Sequence, residues 1–591
     1  MLNKFFIILT IQISFLYAQY SIPSDRIIDW SDAGRNGEVP RTDLDLETLP
    51  NYTNYNTGNV DARTAIAASL ANGNDGCYLP PGTYRVDGTI SIPNGKVLKG
   101  AGSKQTFIKF NHSSAYAIRI TGDYSFGTQT LIAANVHKGD TIIKIPDGQG
   151  NNFSIGGYFL LDQQADATPP FSVTPTSATG SGGSKCTWCG LDNGDYPVGQ
   201  IFQIKSINTS SSPDEITVYQ PVNYPLYETS LGARITEFTA VIENSGIEGF
   251  KLEPNDIGSD NVNELINLYF AMNCYVYDVE SFHCANDKHY LMRWCYKTTI
   301  RKCYLHEASA YGGSDGYGIA LNQQSTSCLI DDNIFDTLHG FVYCEGGGTG
   351  NVISYNYSIH PMYNDGDRLS GSVVWHGGHP HMNLVEGNEF YQLGTDYYWG
   401  TSSHNTFFRN RVYGWDPDFS GANSRAIGID YYCWFNNIVG NILGTEGETN
   451  VYTIEMPASS NSCQSQNLVY NLGYRKPDSP TYCQSASGDT HLVQTTLRHM
   501  NWDVVTNGTV LNDNRNSSYD DDNPNLPNSL YLYSKPTWWD DEGSRLWPNS
   551  TIASGRWDDL PAKDRYENEQ ASNPEQPENV KNISIEAVEK K

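Results

Sequence analysis

Between residues 299 and 440 short segments recur with one pattern: an apolar residue, polar positions, an asparagine, then more apolar residues. The clearest are CLIDDNIF from Cys328, NVISYNYS from Asn351, NLVEGNEF from Asn383 and NTFFRNRV from Asn405. Aligned on their asparagines they give a column of Asn333, Asn356, Asn388, Asn410 and Asn437, with Cys303 in the same column one unit earlier. The spacing varies while the motif holds. Stacked β coils behave this way, because pairing fixes their short strands while their turns can lengthen; a helical repeat would show a 3.6-residue period. Asparagine suits a recurring turn, since it tolerates left-handed backbone angles and its amide can bond the asparagines of neighbouring coils. In NLVEGNEF this register predicts Leu384 in the core, Asn388 in the ladder and Glu386 facing solvent.

The N-terminal third carries VDARTAIAASLANGNDGCYLPPGTYRVDGTISIPNGKVLKGAGSKQTFIKF, Val60 to Phe110. With the repeats, it resembles the pectate-lyase-like superfamily of secreted right-handed parallel β-helix proteins. The resemblance implies an all-β solenoid whose open end is capped by the helix before Leu79, with the first coils starting at Leu98. It also implies a groove along the first strand of each coil. The paired Asp followed by Gly-His-Gly of galacturonases is absent as a set, because the Asp pair in LIDDNIF falls on the ladder turn. Pectin-cleaving residues are therefore not carried over.

The rhythm divides the rest of the chain. Residues 1–18 read as a secretory signal, with Lys4 before an apolar core too short to span a bilayer. Residues 19–125 hold the cap and first coils. Residues 126–235 read as a β-rich insertion of alternating strands and Gly/Ser turns. Residues 236–500 form the main solenoid, and 501–566 a C-terminal cap in which Trp538, Trp539 and Trp547 pack over the last coil. Residues 567–591, rich in Glu, Asn and Pro, read as disordered.

Composition narrows the partners. The balance of 38 basic and 66 acidic residues gives −28, a field that repels nucleic acid and anionic membranes. The expected partner is an extracellular polysaccharide, at the cell surface or beyond it; no pattern specifies an oligomeric state. Twelve cysteines in an exported chain favour disulfides, and Cys186 and Cys189 of CTWC read as one. Nine N-x-S/T sequons, Asn356 among them, permit glycosylation.

Candidate chemistry follows from strand alternation. Stacking the first strands puts Arg293, Asn322, Glu345, His376, Trp399 and Asp430 on one outer face, and the entry turns add Asp315, Tyr317, Asp367, Arg368 and Asp396. Nine of the thirteen histidines lie between His283 and His404. Hydrolysis of a glycosidic bond needs two carboxyl groups, and Glu345 with Asp367 is the first pair, Asp315 or Asp396 the substitutes. Elimination, the alternative reaction, needs a cation, for which Arg368, Arg293 or Arg409 is the candidate, and a base, for which His376 or Lys288 is. A non-catalytic glycan-binding or structural surface protein is the alternative to an enzyme. Tyr398 and Trp399, like Tyr317, Asn322, Arg293 and Asp430, are candidate sugar contacts. No cofactor is required, and Ca2+ is the ion that clustered Asp oxygens would suit. HGGHPH, with His376, His379 and His381, raises a zinc reading, but its spacing fits no ligand pattern and His376 reads as an acid/base group.

Overall fold

The computed structural model describes residues 22–164, 186–285, 287–363, 369–397, 399–417, 424–455, 467–474 and 489–572. The signal sequence, Asp367, Arg368, Tyr398 and the tail beyond 572 lie outside these residues.

The chain is a parallel β-helix. An 11-stranded sheet collects the first strand of each coil and a 22-stranded sheet the other strands. Both are built on parallel pairing in register, as in Lys288 to Tyr317 to Gly340. Crossovers between parallel strands are right-handed in nearly all proteins, which gives the solenoid its hand. The core is a continuous column of inward side chains, from Ile118, Ile266 and Tyr290 through Ile319, Val342 and Val373 to Ile427 and Tyr470. At one end the helix Arg63–Ala71 buries Ile66 and Leu70 in that column and covers the open coil.

Two asparagine ladders run along the stack. In the first, Asn333, Asn356, Asn388, Asn410, Asn441 and Asn501 each pass an amide bond of 2.9–3.0 Å to the next. Cys303 opens it by donating its backbone N–H to Asn333. Asn437, expected in this column, is instead a strand residue bonded to Thr406, and Asn441 takes its place. The second ladder joins Cys328, Asn351, Asn383, Asn405 and Asn436. The sequon at Asn356 is thus inside the ladder, fully buried with its amide engaged.

Strands 97–100, 106–110 and 116–121 pair directly with strands 246–254 and 264–269, so the intervening chain leaves the solenoid at the end of one coil and returns to start the next. That excursion forms a six-stranded antiparallel sheet running from Phe126–Leu131 to Arg234–Phe238, with its own core around Phe159, Phe202 and Ile235. The C-terminal segment starts on the last coil, its strand Gly508–Asn512 pairing antiparallel with Leu497–Asp503, but its tryptophan-rich part does not sit there. It lies along the flank of the stack, where Trp538, Trp539 and Trp547 pack with Tyr355, Leu384, Phe408 and Val439 from successive coils. Leu384 therefore belongs to the cover and Val385 to the solenoid core, while Glu386 is 1% exposed beneath the cover, not in solvent. The helix Pro561–Ser572 carries order past Tyr566, where composition had suggested it would stop.

The cysteines correct the disulfide expectation. Cys186 and Cys189 are bonded, but eight described cysteines are buried thiols. They occupy turn and core positions of the coils, where the thiol behaves as a small apolar group with a weak bond to a carbonyl, as Cys303 to Arg301 at 3.4 Å. Among the described residues no helix is long and apolar enough to cross a membrane.

Candidate active site

The first-strand sheet sets the site by register. Tyr269 pairs with Arg293, Arg293 with Asn322, Asn322 with Glu345, and Glu345 with His376. The ladder continues through Thr395, which pairs with Trp375, so Asp396 follows as the next outward rung with its N–H on the Trp375 carbonyl at 3.1 Å. Asp430 lies beyond, its N–H held by the Thr395 hydroxyl at 2.9 Å. Trp399 was expected in this column. The strand is Leu393–Thr395, earlier than the aromatic run suggested, so Asp396 holds the rung and Trp399 stands at its edge.

Contacts link neighbouring rungs. The Asn322 amide donates to Glu345 Oε2 at 2.8 Å, and both side chains are nearly buried. His376 Nδ1 meets Asp396 Oδ2 in a close contact. Access opens here: the His376 and Asp396 side chains are 16% and 26% exposed. Two residues back along the strand, on the same face, the Tyr343 ring lies 6.0 Å from His376 and stacks at 4.2 Å on Tyr317. Tyr343 escaped the sequence reading, although its offset of two from Glu345 places it on the outer face. Burial first, then the nearby Tyr343, Glu345 and Asp396, pushes the Tyr317 hydroxyl well above its ordinary range.

Asp315 does not join Glu345. It lies in the turn before Tyr317, at the opposite end of the six-residue strand from Asn322, and that strand spans about 17 Å. There it neighbours Asp287, Lys288 and Glu264. Burial, followed by Asp287, raises the pKa of Glu264 to about 7 and lifts that of Asp315 as well.

The three histidines of HGGHPH separate. His379 and His381 are fully buried beneath Tyr224 of the insertion, with His379 on the Ser403 hydroxyl at 2.8 Å and His381 Nδ1 on the His379 carbonyl at 2.9 Å. Burial lowers their pKa values to about 3 and about 4. They are neutral packing groups, and His376 alone reaches the groove. Among the described residues, the group of three acids that converges on one point is Asp559, Asp564 and Glu567, at the start of the C-terminal helix and not on the groove.

No protein-family model matches the chain, and no curated protein matches it. The tailspike protein gp49 from Pseudomonas phage LKA1 is similar in structure, with a TM-score of 0.44 at 13% identity over 68% of this chain and 61% of that one. The Gp54 tailspike of Acinetobacter baumannii bacteriophage AP22, solved in complex with capsular saccharide, gives 0.44 at 12% over 72% and 69%. The catalytic unit of an alpha-1,3-glucanase from Streptomyces thermodiastaticus gives 0.33 at 10% over 74% and 69%. The chain spans less than two thirds of the first tailspike. Likenesses at these identities leave the chemistry to be argued from the residues.

Proposed function

We propose that this protein hydrolyses an extracellular polysaccharide, with Glu345 and Asp396 as the carboxyl pair. The observation that carries the reading is the continuous outward ladder Asn322, Glu345, His376, Asp396, in which two acids flank a histidine on successive strands. Adjacent strands are about 4.8 Å apart, so the two acids stand about 10 Å apart at Cα, with the intervening rung between them. A wide separation leaves room for a water between substrate and base, as inversion requires. Glu345, steadied by the Asn322 amide, protonates the glycosidic oxygen. Asp396, fixed by His376, takes the proton of the attacking water. A glycan lying across the strands would meet Tyr343 and Tyr317 on one side.

Elimination fits less well. It needs a cation at the substrate carboxylate beside the base, and among the described candidates Arg293 stands three rungs, about 14 Å, from His376, while Arg409 is buried against the Leu526 and Pro527 carbonyls. Incubation with neutral and uronic polysaccharides, followed by reducing ends and by absorbance of unsaturated products, separates the readings. We expect reducing ends without unsaturated products, and a fall of about 10²- to 10⁴-fold in kcat for Glu345→Gln and Asp396→Asn at unchanged Tm. Unsaturated products would replace hydrolysis by elimination, binding without turnover would remove the enzyme, and full activity in both variants would remove the pair.

A further inference from the structure

The insertion reaches the groove through one short loop. Cys186 and Cys189 close a disulfide across three positions, and the loop lies against the two glycines that follow the proposed rungs, Gly346 after Glu345 and Gly377 after His376. Both glycines have positive φ, and a Cβ would stand 2.6 Å from Cys189 Cα at Gly346 and 2.7 Å from Cys189 Sγ at Gly377. Only glycine admits the loop so close. The buried Gln324 amide clamps its other side, donating to the carbonyls of Cys189 at 3.1 Å and Tyr196 at 3.0 Å. Between the two cysteines Trp188 is 37% exposed, and its ring meets Trp399 edge to face at 4.8 Å.

So small a loop removes little entropy from the unfolded chain, so global stability gives a weak reason for this bond. The other eight described cysteines remain thiols. What the disulfide does fix is the position of an exposed indole at the edge of the groove.

We propose that Trp188, braced by Trp399 and positioned by the Cys186–Cys189 disulfide, is a sugar-stacking subsite that binds the apolar face of a pyranose ring beside the His376 and Asp396 rung. The proposal rests on the groove reading above and adds a specificity-determining residue contributed by the insertion. An indole offers a flat apolar face at low entropic cost, and sugar rings present C–H faces to it. The subsite selects glycans whose ring exposes such a face at that position.

The test is native electrophoresis of the full chain through gels containing β-glucan, xylan, pullulan or alginate. We expect at least one polymer to retard the wild type and Glu345→Gln equally. Trp188→Ala and the double variant Cys186→Ser/Cys189→Ser should bind about tenfold more weakly, with Trp188→Phe restoring most of the retardation. Because Trp188 is exposed, its variants should keep the wild-type Tm. Wild-type retardation in Trp188→Ala, or no retardation of the wild type by any of the four polymers, would overturn the subsite. Weak binding by Trp188→Ala with full retardation of the double serine variant would overturn the disulfide's positioning role. Loss of retardation in Trp188→Ala alongside full turnover by Glu345→Gln would leave the subsite standing and remove the carboxyl assignment instead.

Discussion

A one-residue change of phase moves a side chain across the sheet, and Leu384, Val385 and Glu386 show the consequence. The alternation was legible, and so were Asn333, Asn356, Asn388 and Asn410. What the pattern did not reveal was a second partner for the outer face, so Leu384 read as core and Glu386 as a solvated acid. The second ladder was within reach: Asn351, Asn383 and Asn405 each open a repeat motif, but the other column had absorbed the alignment. The same logic separates Asn388 from Asn437. Asn388 accepts from the Asn356 backbone and amide and donates to the Ile353 carbonyl and to Asn410, all at 2.9 Å. Asn388→Ala strands those buried partners and should cost roughly 3 kcal/mol or more. Asn437→Ala, which removes one bond to Thr406, should cost about 1 kcal/mol. Guanidinium denaturation of the two variants checks the ranking, and equal losses would refute a ladder that stabilises cooperatively.

Elements were legible where they were long. The strands Lys288–Arg293, Tyr317–Asn322 and Gly340–Glu345 have six residues each and alternate visibly, and Arg293, Asn322 and Glu345, aligned from the sequence, are paired in register. The strand Leu393–Thr395 has three, followed at once by aromatic residues with greater strand propensity, and there the register was lost together with the place of Asp396. The C-terminal cover was legible only as an aromatic composition, because what it covers lies on other coils. Its seam contains a titratable group. Glu386 accepts from Tyr355 at 2.9 Å and from the Leu530 backbone at 2.8 Å, and burial pushes its pKa up to about 7. The folded state then holds this proton more tightly than the unfolded one. Its contribution is complete below about pH 4.5 and is lost as pH rises through about 7. Limited proteolysis should therefore release the cover faster at pH 8.5 than at pH 5.5 in the wild type, relative to an unstructured control, and at one rate in Glu386→Gln. A wild-type rate that follows the control alone would disprove the coupling.

At the scale of the whole molecule, the insertion meets the solenoid at points that sequence proximity could not reveal. Tyr224 lies over His379 and His381, and Cys189 lies over Gly346 and Gly377, contacts between positions more than 150 residues apart. The histidine-rich stretch was legible as a concentration of titratable groups, but not its division into one groove residue and several buried ones. That division makes the molecule sensitive to acid. His379 and His381 titrate at about 3 and about 4, and His404, in contact with Ser403 and stacked on Phe435, lies well below its ordinary range, in each case first because it is buried. Unfolded, all three would bind a proton near pH 6.5. Between about pH 6.5 and 4 the unfolded chain thus takes up protons that the native seam refuses, and stability falls as pH falls, by roughly 1.4 kcal/mol per histidine per pH unit. Glu264, Glu386 and Asp162, raised to about 7, and Asp332, raised to about 6, oppose this slope down to about pH 4, where their unfolded forms also protonate. The profile should be nearly level from about pH 6.5 to about 4 and fall steeply below. Denaturation midpoints measured at half-unit steps check the shape, and hydrogen exchange should show the amides around Tyr224 and His381 opening before the solenoid core. His381→Asn, which no longer takes up the proton, should flatten the acid limb; a midpoint that stays level to pH 3.5 in the wild type would mean that these histidines are not held neutral by the seam.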